Sequence, residues 1–83
     1  RSAKVRIVAS LKMLEASPLV PTVPDTIPLP MSRTDIADYL GLTIESVSRA
    51  TRDLTNAGVI KFQGTRVVRV LNRQKFEELA TVV

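Results

Sequence analysis

The residues from Ser32 to Gly58 carry two successive helical patterns of apolar and polar positions, separated by a short turn. With an advance of about 100° per residue, a helix over Thr43–Ala57 collects its apolar positions on one side. This predicted core side consists of Val47, Ala50, Thr51, Leu54 and Ala57. The opposite side, which we call the polar face, consists of Glu45, Ser48, Arg49 and Arg52. The pattern predicts a helix held by the core on one side and free to meet a partner on the other.

An amphipathic helix is also predicted over residues 3–16. Its apolar stripe consists of Ala3, Ile7, Leu11 and Leu14, and Lys4 and Lys12 are expected to face water. No capping residue is expected before this helix, so we expect a longer parent chain to lead into it. All five prolines fall in the following segment, residues 17–31, which predicts a surface loop. This loop would be a rigid spacer or, as the alternative, a docking surface for another protein. A short strand near Thr26–Leu29 should end this loop and can join a sheet only at its edge.

Capping signals mark both helices of the central segment, residues 32–58. Ser32 with Asp35 three residues later fits a capping box, and Gly41 should end the first helix in a left-handed conformation. Thr43 should cap the second helix, and Gly58 should close it. Two helices joined by a three-residue turn that contains glycine are typical of a helix-turn-helix.

A β-hairpin is predicted after the two helices. The runs V-I-K-F and R-V-V-R-V within residues 59–70 are rich in β-formers, and the link Q-G-T between them is short. This wing places Lys61, Arg66 and Arg69 on its strands. A last helix over residues 72–83 should be capped by Asn72, with Phe76, Leu79, Ala80 and Val83 inward and with Glu77 and Glu78 in water. The expected fold is mainly α with a small β-hairpin, a winged helix-turn-helix in one domain.

The amino-acid composition and net charge limit the classes of function that are open to the chain. The 83 residues carry 12 Lys plus Arg against 8 Asp plus Glu, a net charge of +4 that suits a polyanionic partner. The chain contains no Cys and no His, which excludes disulfides, iron–sulfur clusters and the usual zinc ligands, so we expect no cofactor in it. No stretch of the sequence is long and apolar enough for a membrane span, and no secretory signal is visible, so we expect a cytoplasmic location and no membrane partner.

The polar face has the chemistry needed to read DNA bases. Arg49 can donate two hydrogen bonds to O6 and N7 of guanine, Glu45 can accept from N4 of cytosine, and Ser48 can serve several base edges. Glu45 has a second explanation, because an acidic residue is favoured in the first turn of a helix and can form an ordinary surface ion pair with Arg49. Its setting beside Ser48 and Arg49 favours base reading over that explanation.

Phosphate contacts are expected at the starts of the two helices, where free backbone N–H groups and hydroxyls favour an anion. The residues concerned are Ser32, Thr34, Thr43 and Ser46. Plain capping is the alternative role, and for Ser32 and Thr43 the two roles are compatible.

The chain resembles the DNA-binding domain of the Crp/Fnr family of bacterial transcription regulators in the run L-P-M-S-R-T-D-I-A-D-Y-L-G-L-T-I-E-S-V-S-R and in L-T-N-A-G-V-I. Its E-x-x-S-R pattern is similar to the Fnr and FixK branch, which implies a TTGA-type half-site. The resemblance then implies Arg49 on guanine, Glu45 on the opposite-strand cytosine and Ser48 on a thymine. Ile44 stands where the catabolite-activator branch has Arg, which argues against the specificity of that branch.

The same resemblance implies further contacts and partners. Arg52, and Gln63 at the wing, would join the phosphate contacts. The loop from Val20 to Pro28 falls where such regulators touch RNA polymerase. The effector domain and the dimerisation helix of the family would precede residue 1, so a homodimer is expected of the parent protein.

Two other classes of function stay open at this point. A winged helix that serves protein assembly without binding DNA would be expected to lack a polar face, so Ser48, Arg49 and Arg52 argue against it. An enzyme has little support, because the carboxylate pair Asp35 and Asp38 lies on a short surface helix without a base, a metal set or a phosphate loop.

Overall fold

The computed structural model describes residues 2–17 and 23–81. Its elements are α1 (Ala3–Glu15), β1 (Thr26–Pro28), α2 (Arg33–Leu40), α3 (Ile44–Asn56), β2 (Ile60–Gln63), β3 (Val67–Val70) and α4 (Arg73–Ala80). This order of helices and strands confirms the predicted winged helix-turn-helix. Val20 of the expected polymerase loop and Val83 of the expected last helix lie outside the described residues.

The wing is part of a three-stranded antiparallel sheet. Strand β3 lies in the centre, with β1 on one side and β2 on the other. Thr26 of β1 is opposite Arg69, and Lys61 of β2 is opposite the same residue. The proline-containing strand therefore occupies an edge, as its missing N–H donor requires.

Helix α1 lies at the centre of the domain and contacts the three other helices as well as β1. Its inward residues are Ile7, Val8 and Leu11, all buried. The core around them draws on every helix and strand of the described chain, and it also contains Ile27, Leu29, Ile36, Ala37, Val47, Ala50, Leu54, Val59, Ile60, Val68, Val70 and Phe76. One continuous core thus fixes the sheet and the helix-turn-helix relative to each other.

Two expectations about helix ends were wrong. Ser2 caps α1, because its hydroxyl accepts a hydrogen bond from the backbone N–H of Val5 at 3.3 Å. Ala57 is exposed rather than buried, because α3 ends at Asn56 and the chain leaves the helix before another turn is completed.

The charged face between α1 and α4 also differs from the sequence prediction. Glu77 does not simply face water, since its carboxylate lies 2.6 Å from Nζ of Lys12 and 2.9 Å from Arg73. Arg73 also contacts Glu15 at 2.6 Å and Asp25 at 2.7 Å. Helical periodicity gives the direction of a side chain but not the charge that a distant segment brings to it, so the sequence did not predict this network.

Candidate nucleic-acid interface

Helix α3 is held firmly at its start and along one side. The hydroxyl of Thr43 accepts a hydrogen bond from the backbone N–H of Ser46 at 3.0 Å. The residues that face the core are Val47, Ala50, Thr51 and Leu54, all buried. Since one side is fixed inward, the polar face is fixed outward.

The turn before α3 is set by its own contacts. Gly41 adopts a left-handed conformation with φ of 68°, which an L-residue with a Cβ adopts only at a cost. The backbone N–H of Leu42 donates to the carbonyl of Ala37 at 2.8 Å. From the middle of the domain, the guanidinium of Arg6 in α1 donates to the carbonyl of Leu40. These contacts fix the angle between α2 and α3.

The predicted base-reading residues lie together on the exposed side of α3. The side chains of Glu45 and Arg49 are 84% and 76% exposed, and their nearest charged atoms are 3.9 Å apart. Ser48 is half-buried, and its carbonyl accepts a hydrogen bond from the hydroxyl of Thr51. A long ion pair in water is worth only a few tenths of a kcal/mol, so Arg49 can leave Glu45 for a base at little cost.

The capping groups at the two helix starts are engaged in hydrogen bonds and remain largely exposed. The hydroxyl of Ser32 accepts from the N–H of Asp35, and the carboxylate of Asp35 accepts from the N–H of Ser32, each at 3.2 Å. The hydroxyl of Thr43 donates to that of Ser46 at 3.0 Å. Three of the four residues, Ser32, Thr34 and Thr43, are exposed and Ser46 is half-buried.

Arg52 and Gln63 lie on different elements. Arg52 is exposed on α3, and Gln63 is exposed at the end of β2. Within residues 2–17 and 23–81, neither side chain has a hydrogen-bond or ion-pair partner. Both therefore have unused donors directed to solvent.

Three residues of this surface had no assigned role in the sequence analysis. Ile44 begins α3 and is 53% exposed, so it can pack against a thymine methyl group. Asn56 is exposed on the same side as Arg49, and the helical spacing of the polar face could have revealed it. Arg33, the first residue of α2, lies over the ring of Phe62 with its Cζ 4.5 Å from the ring centroid. No sequence pattern signals a contact between residues so far apart in the chain.

The wing adds unneutralised positive charge. Lys61 and Arg69 are exposed and directly opposite each other on neighbouring strands. Arg66 was expected on a strand but is exposed in the turn between β2 and β3, because β3 begins only at Val67. In the part of the chain that the structure describes, none of the three side chains has an acidic partner. Like charges in this position repel each other, and an anion would relieve the repulsion.

Neither a metal-ligand cluster nor a membrane-spanning helix occurs among the described residues. No cluster of three or more acidic residues could hold a metal ion there. Across residues 2–17 and 23–81, the helices are all too short or too polar to cross a bilayer.

Comparisons with known proteins agree with this fold. Residues 5–79 match the model of a family described as the Crp-like helix-turn-helix domain. Over 36 residues, 43% of this chain and 15% of the relative, the sequence is 69% identical to the nitrogen fixation regulation protein FixK of Bradyrhizobium diazoefficiens. Over 72 residues, 87% of this chain and 27% of the relative, it is 42% identical to the transcriptional activator protein FnrL of Cereibacter sphaeroides.

A solved structure is similar over the whole chain. The structure of FixK2 from Bradyrhizobium japonicum superimposes with a TM-score of 0.74 at 38% identity, covering 100% of this chain and 41% of that one. The aligned part of this chain spans between 15% and 27% of the length of the FixK and FnrL relatives. The family match and the fold agreement therefore concern one domain of proteins that are longer.

Proposed function

The chain belongs to the Crp-like helix-turn-helix domain family, and from this premise we propose that it is the sequence-specific DNA-binding part of a bacterial transcription regulator. The observation that carries the proposal is the pairing of Glu45 with Arg49 on the exposed side of α3. A helix fits the major groove, where each base pair presents its own donors and acceptors. Side chains that are exposed on a rigid helix can reach those base edges.

We propose a TTGA-type half-site. Arg49 would donate to O6 and N7 of the guanine, and Glu45 would accept from N4 of its paired cytosine on the other strand. Ser48 would contact a neighbouring thymine. The exposed aliphatic side chain of Ile44 suits a thymine methyl group better than a polar edge. One arginine with one carboxylate thus matches the single G·C pair of this half-site.

The proposed phosphate contacts surround this base-reading centre. They come from Ser32, Thr34, Thr43, Ser46, Arg52 and Gln63. Such contacts set the position of the helix in the groove and add affinity for any sequence. The net charge of +4 supports this role.

The remaining proposals concern the full-length protein. By analogy with the family, it would act as a homodimer on a palindromic site and contact RNA polymerase, and any effector would bind outside this domain. We propose no cofactor, no metal and no catalytic activity for the chain itself, and a cytoplasmic location. The relatives are transcription regulators, which makes an enzyme a poor explanation.

Two variants test the base-reading role. Arg49→Ala should weaken binding to a duplex with the TTGA half-site by about 1–3 kcal/mol and reduce discrimination against a changed G·C pair. Arg52→Ala is the matched control, because it removes the same charge from the same helix. It should weaken all sequences alike and lower the salt slope by about one unit.

Fluorescence anisotropy on the half-site duplex and on a scrambled duplex of equal length provides the measurement. Equal losses on both duplexes for Arg49→Ala would refute base reading by this residue. An absence of binding to either duplex at low salt would instead favour an assembly module.

A further inference from the structure

We infer that Phe62 is a positioning residue that holds the guanidinium of Arg33 between α2 and the wing, where it contacts a DNA phosphate. The inference deepens the proposed function and rests on it. Its starting observation is the stack of Arg33 on the Phe62 ring, with 4.5 Å between Cζ and the ring centroid. A guanidinium in this position is attracted by the negative face of the ring.

The stack joins two regions that were predicted separately to contact phosphates. Arg33 begins α2 and is flanked by Ser32 and Thr34, and Phe62 is followed by Gln63 at the end of β2. The contact between Arg33 and Phe62 brings these two regions next to each other. A single guanidinium between them can therefore serve one phosphate together with its neighbours.

The donors of Arg33 are unused. Stacking engages the face of the guanidinium and leaves its N–H groups, which lie in the plane, available. Within residues 2–17 and 23–81, no carboxylate or carbonyl accepts a hydrogen bond from Arg33, which is exposed. Its donors remain available for a phosphate, the anion that arginine binds with two parallel hydrogen bonds.

A second stacked arginine in the same molecule shows the contrast. Arg73 lies over the ring of Phe76 at 5.2 Å, but its donors contact Glu15, Asp25 and Glu77. Its position is explained by those carboxylates. The position of Arg33 has no such explanation, and a cation in the first turn of α2 opposes the helix dipole.

The Phe62 ring reduces the conformational entropy that Arg33 loses when it binds a phosphate. Phe62 is half-buried and packs against the core, so the ring is held in place. A free arginine side chain loses rotamer freedom when it binds, whereas one already held against a ring loses less. Phe62 should thus increase DNA affinity without touching DNA.

A double-mutant cycle on the 83-residue chain tests this inference. Binding is measured by anisotropy on a scrambled duplex, with salt varied over about 50–200 mM, because a phosphate contact does not depend on sequence. Arg33→Gln should weaken binding and reduce the magnitude of the salt slope by about 0.9. Phe62→Leu should weaken binding by about two- to fivefold, the fold-change that corresponds to an exposed cation–π contact.

The two changes should not add. Phe62→Leu should have no further effect in the Arg33→Gln background, and Phe62→Tyr should retain the affinity of the parent chain because it keeps the ring. Arg66→Gln is the matched control, since Arg66 is an exposed wing cation with no described partner. Phe62→Leu should weaken binding as much in that background as in the parent chain.

Two results would overturn the inference. One is an unchanged salt slope for Arg33→Gln. Another is a full additional loss when Phe62→Leu is combined with it, which would indicate that the wing is merely destabilised. A thermal melt of each variant shows whether it is folded at the assay temperature. If Phe62→Leu is unfolded, Arg33→Gln is compared with Arg33→Lys, which keeps the charge and should retain the salt slope that Arg33→Gln loses. If the chain showed no preference for the TTGA half-site, the proposed base reading would be refuted. The result for Arg33 and Phe62 would still stand, because it is measured on scrambled DNA.

Discussion

Arg73→Gln should destabilise the domain more than any other single change of an exposed or half-buried charge in the described residues. Arg73 connects three elements: it contacts Glu15 at the end of α1 with two hydrogen bonds of 2.8 and 2.6 Å, Asp25 before β1, and Glu77 on its own helix. The hydrogen bond to Glu15, followed by those to Asp25 and Glu77, raises the pKa of Arg73, and burial opposes them. Gln removes the charge and ends two atoms short of the guanidinium, so it cannot make these contacts.

The magnitude follows from the exposure of the partners. Ion pairs in contact with solvent contribute about 0.2–1 kcal/mol each. The side chain of Glu15 is 23% exposed and that of Asp25 is 52% exposed, so the pair with Glu15 should lie near the upper limit and the pair with Asp25 near the lower. We expect a total loss of about 1–2 kcal/mol. For a domain of this size, that corresponds to a fall in Tm of about 4–16 °C.

Thermal unfolding followed by circular dichroism measures the loss, with Arg66→Gln as the control. Arg66 is exposed without a described partner, so its replacement should change stability by less than about 0.5 kcal/mol. At about 1 M salt the difference between the two variants should shrink, because partly exposed pairs are screened. A loss for Arg73→Gln that is no larger than the loss for Arg66→Gln would refute a stabilising role of the Arg73 contacts, and so would a difference that salt leaves unchanged.

Two further predictions concern acid stability and the turn. The hydrogen bond from Lys12, followed by the one from Arg73, lowers the pKa of Glu77 below its ordinary value of 4.5. The contribution of Glu77 to stability is therefore present above pH 4.5 and is lost as the pH falls through the lowered pKa. Glu77→Gln should therefore flatten the pH dependence of the unfolding free energy below about pH 4.5, and an unchanged acid limb would contradict this. Gly41→Ala should lower the free energy of unfolding in urea by about 1–2 kcal/mol, because φ at this position is 68°. A Cβ there would meet nothing within 4 Å, so backbone strain is the whole effect. Gly41→Asn should recover part of the loss, and equal stability of the Ala and Asn variants would argue against backbone strain as the cause.

Local signals in the sequence were sufficient for most of the fold. The capping box at Ser32 and Asp35, the glycine at 41 and the cap at Thr43 set helix ends through contacts within a few residues, and the structure contains each of them. The helical spacing of the apolar positions correctly predicted the buried residues Val47, Ala50, Thr51 and Leu54 of α3. Ala57 was assigned wrongly because periodicity continues past the point where the chain leaves the helix.

Sequence patterns did not predict the contacts between segments that are distant in the chain. The Lys12–Glu77 pair, the clustering of Glu15 and Asp25 around Arg73, and the Arg33–Phe62 stack each depend on where another element lies. A helical pattern predicts which way a side chain points, but the partner is determined by packing of the whole core. The polar face could be predicted because all its residues lie on one helix. Their common direction follows from helical spacing and does not depend on where another element packs.

In the proposed base-reading role, Glu45 would contribute to selection among DNA sequences and not only to affinity. A domain with a charge of +4 is attracted to any DNA, and the attraction grows with each cation near the phosphates. A carboxylate that is 84% exposed on the same surface reduces this general attraction, because it repels the phosphates. In the proposed complex, the reduction would be offset only where cytosine N4 donates to Glu45 while Arg49 binds the paired guanine. Specificity is a difference between two affinities, so a residue that weakens binding to all other sequences increases it as effectively as one that strengthens binding to the target.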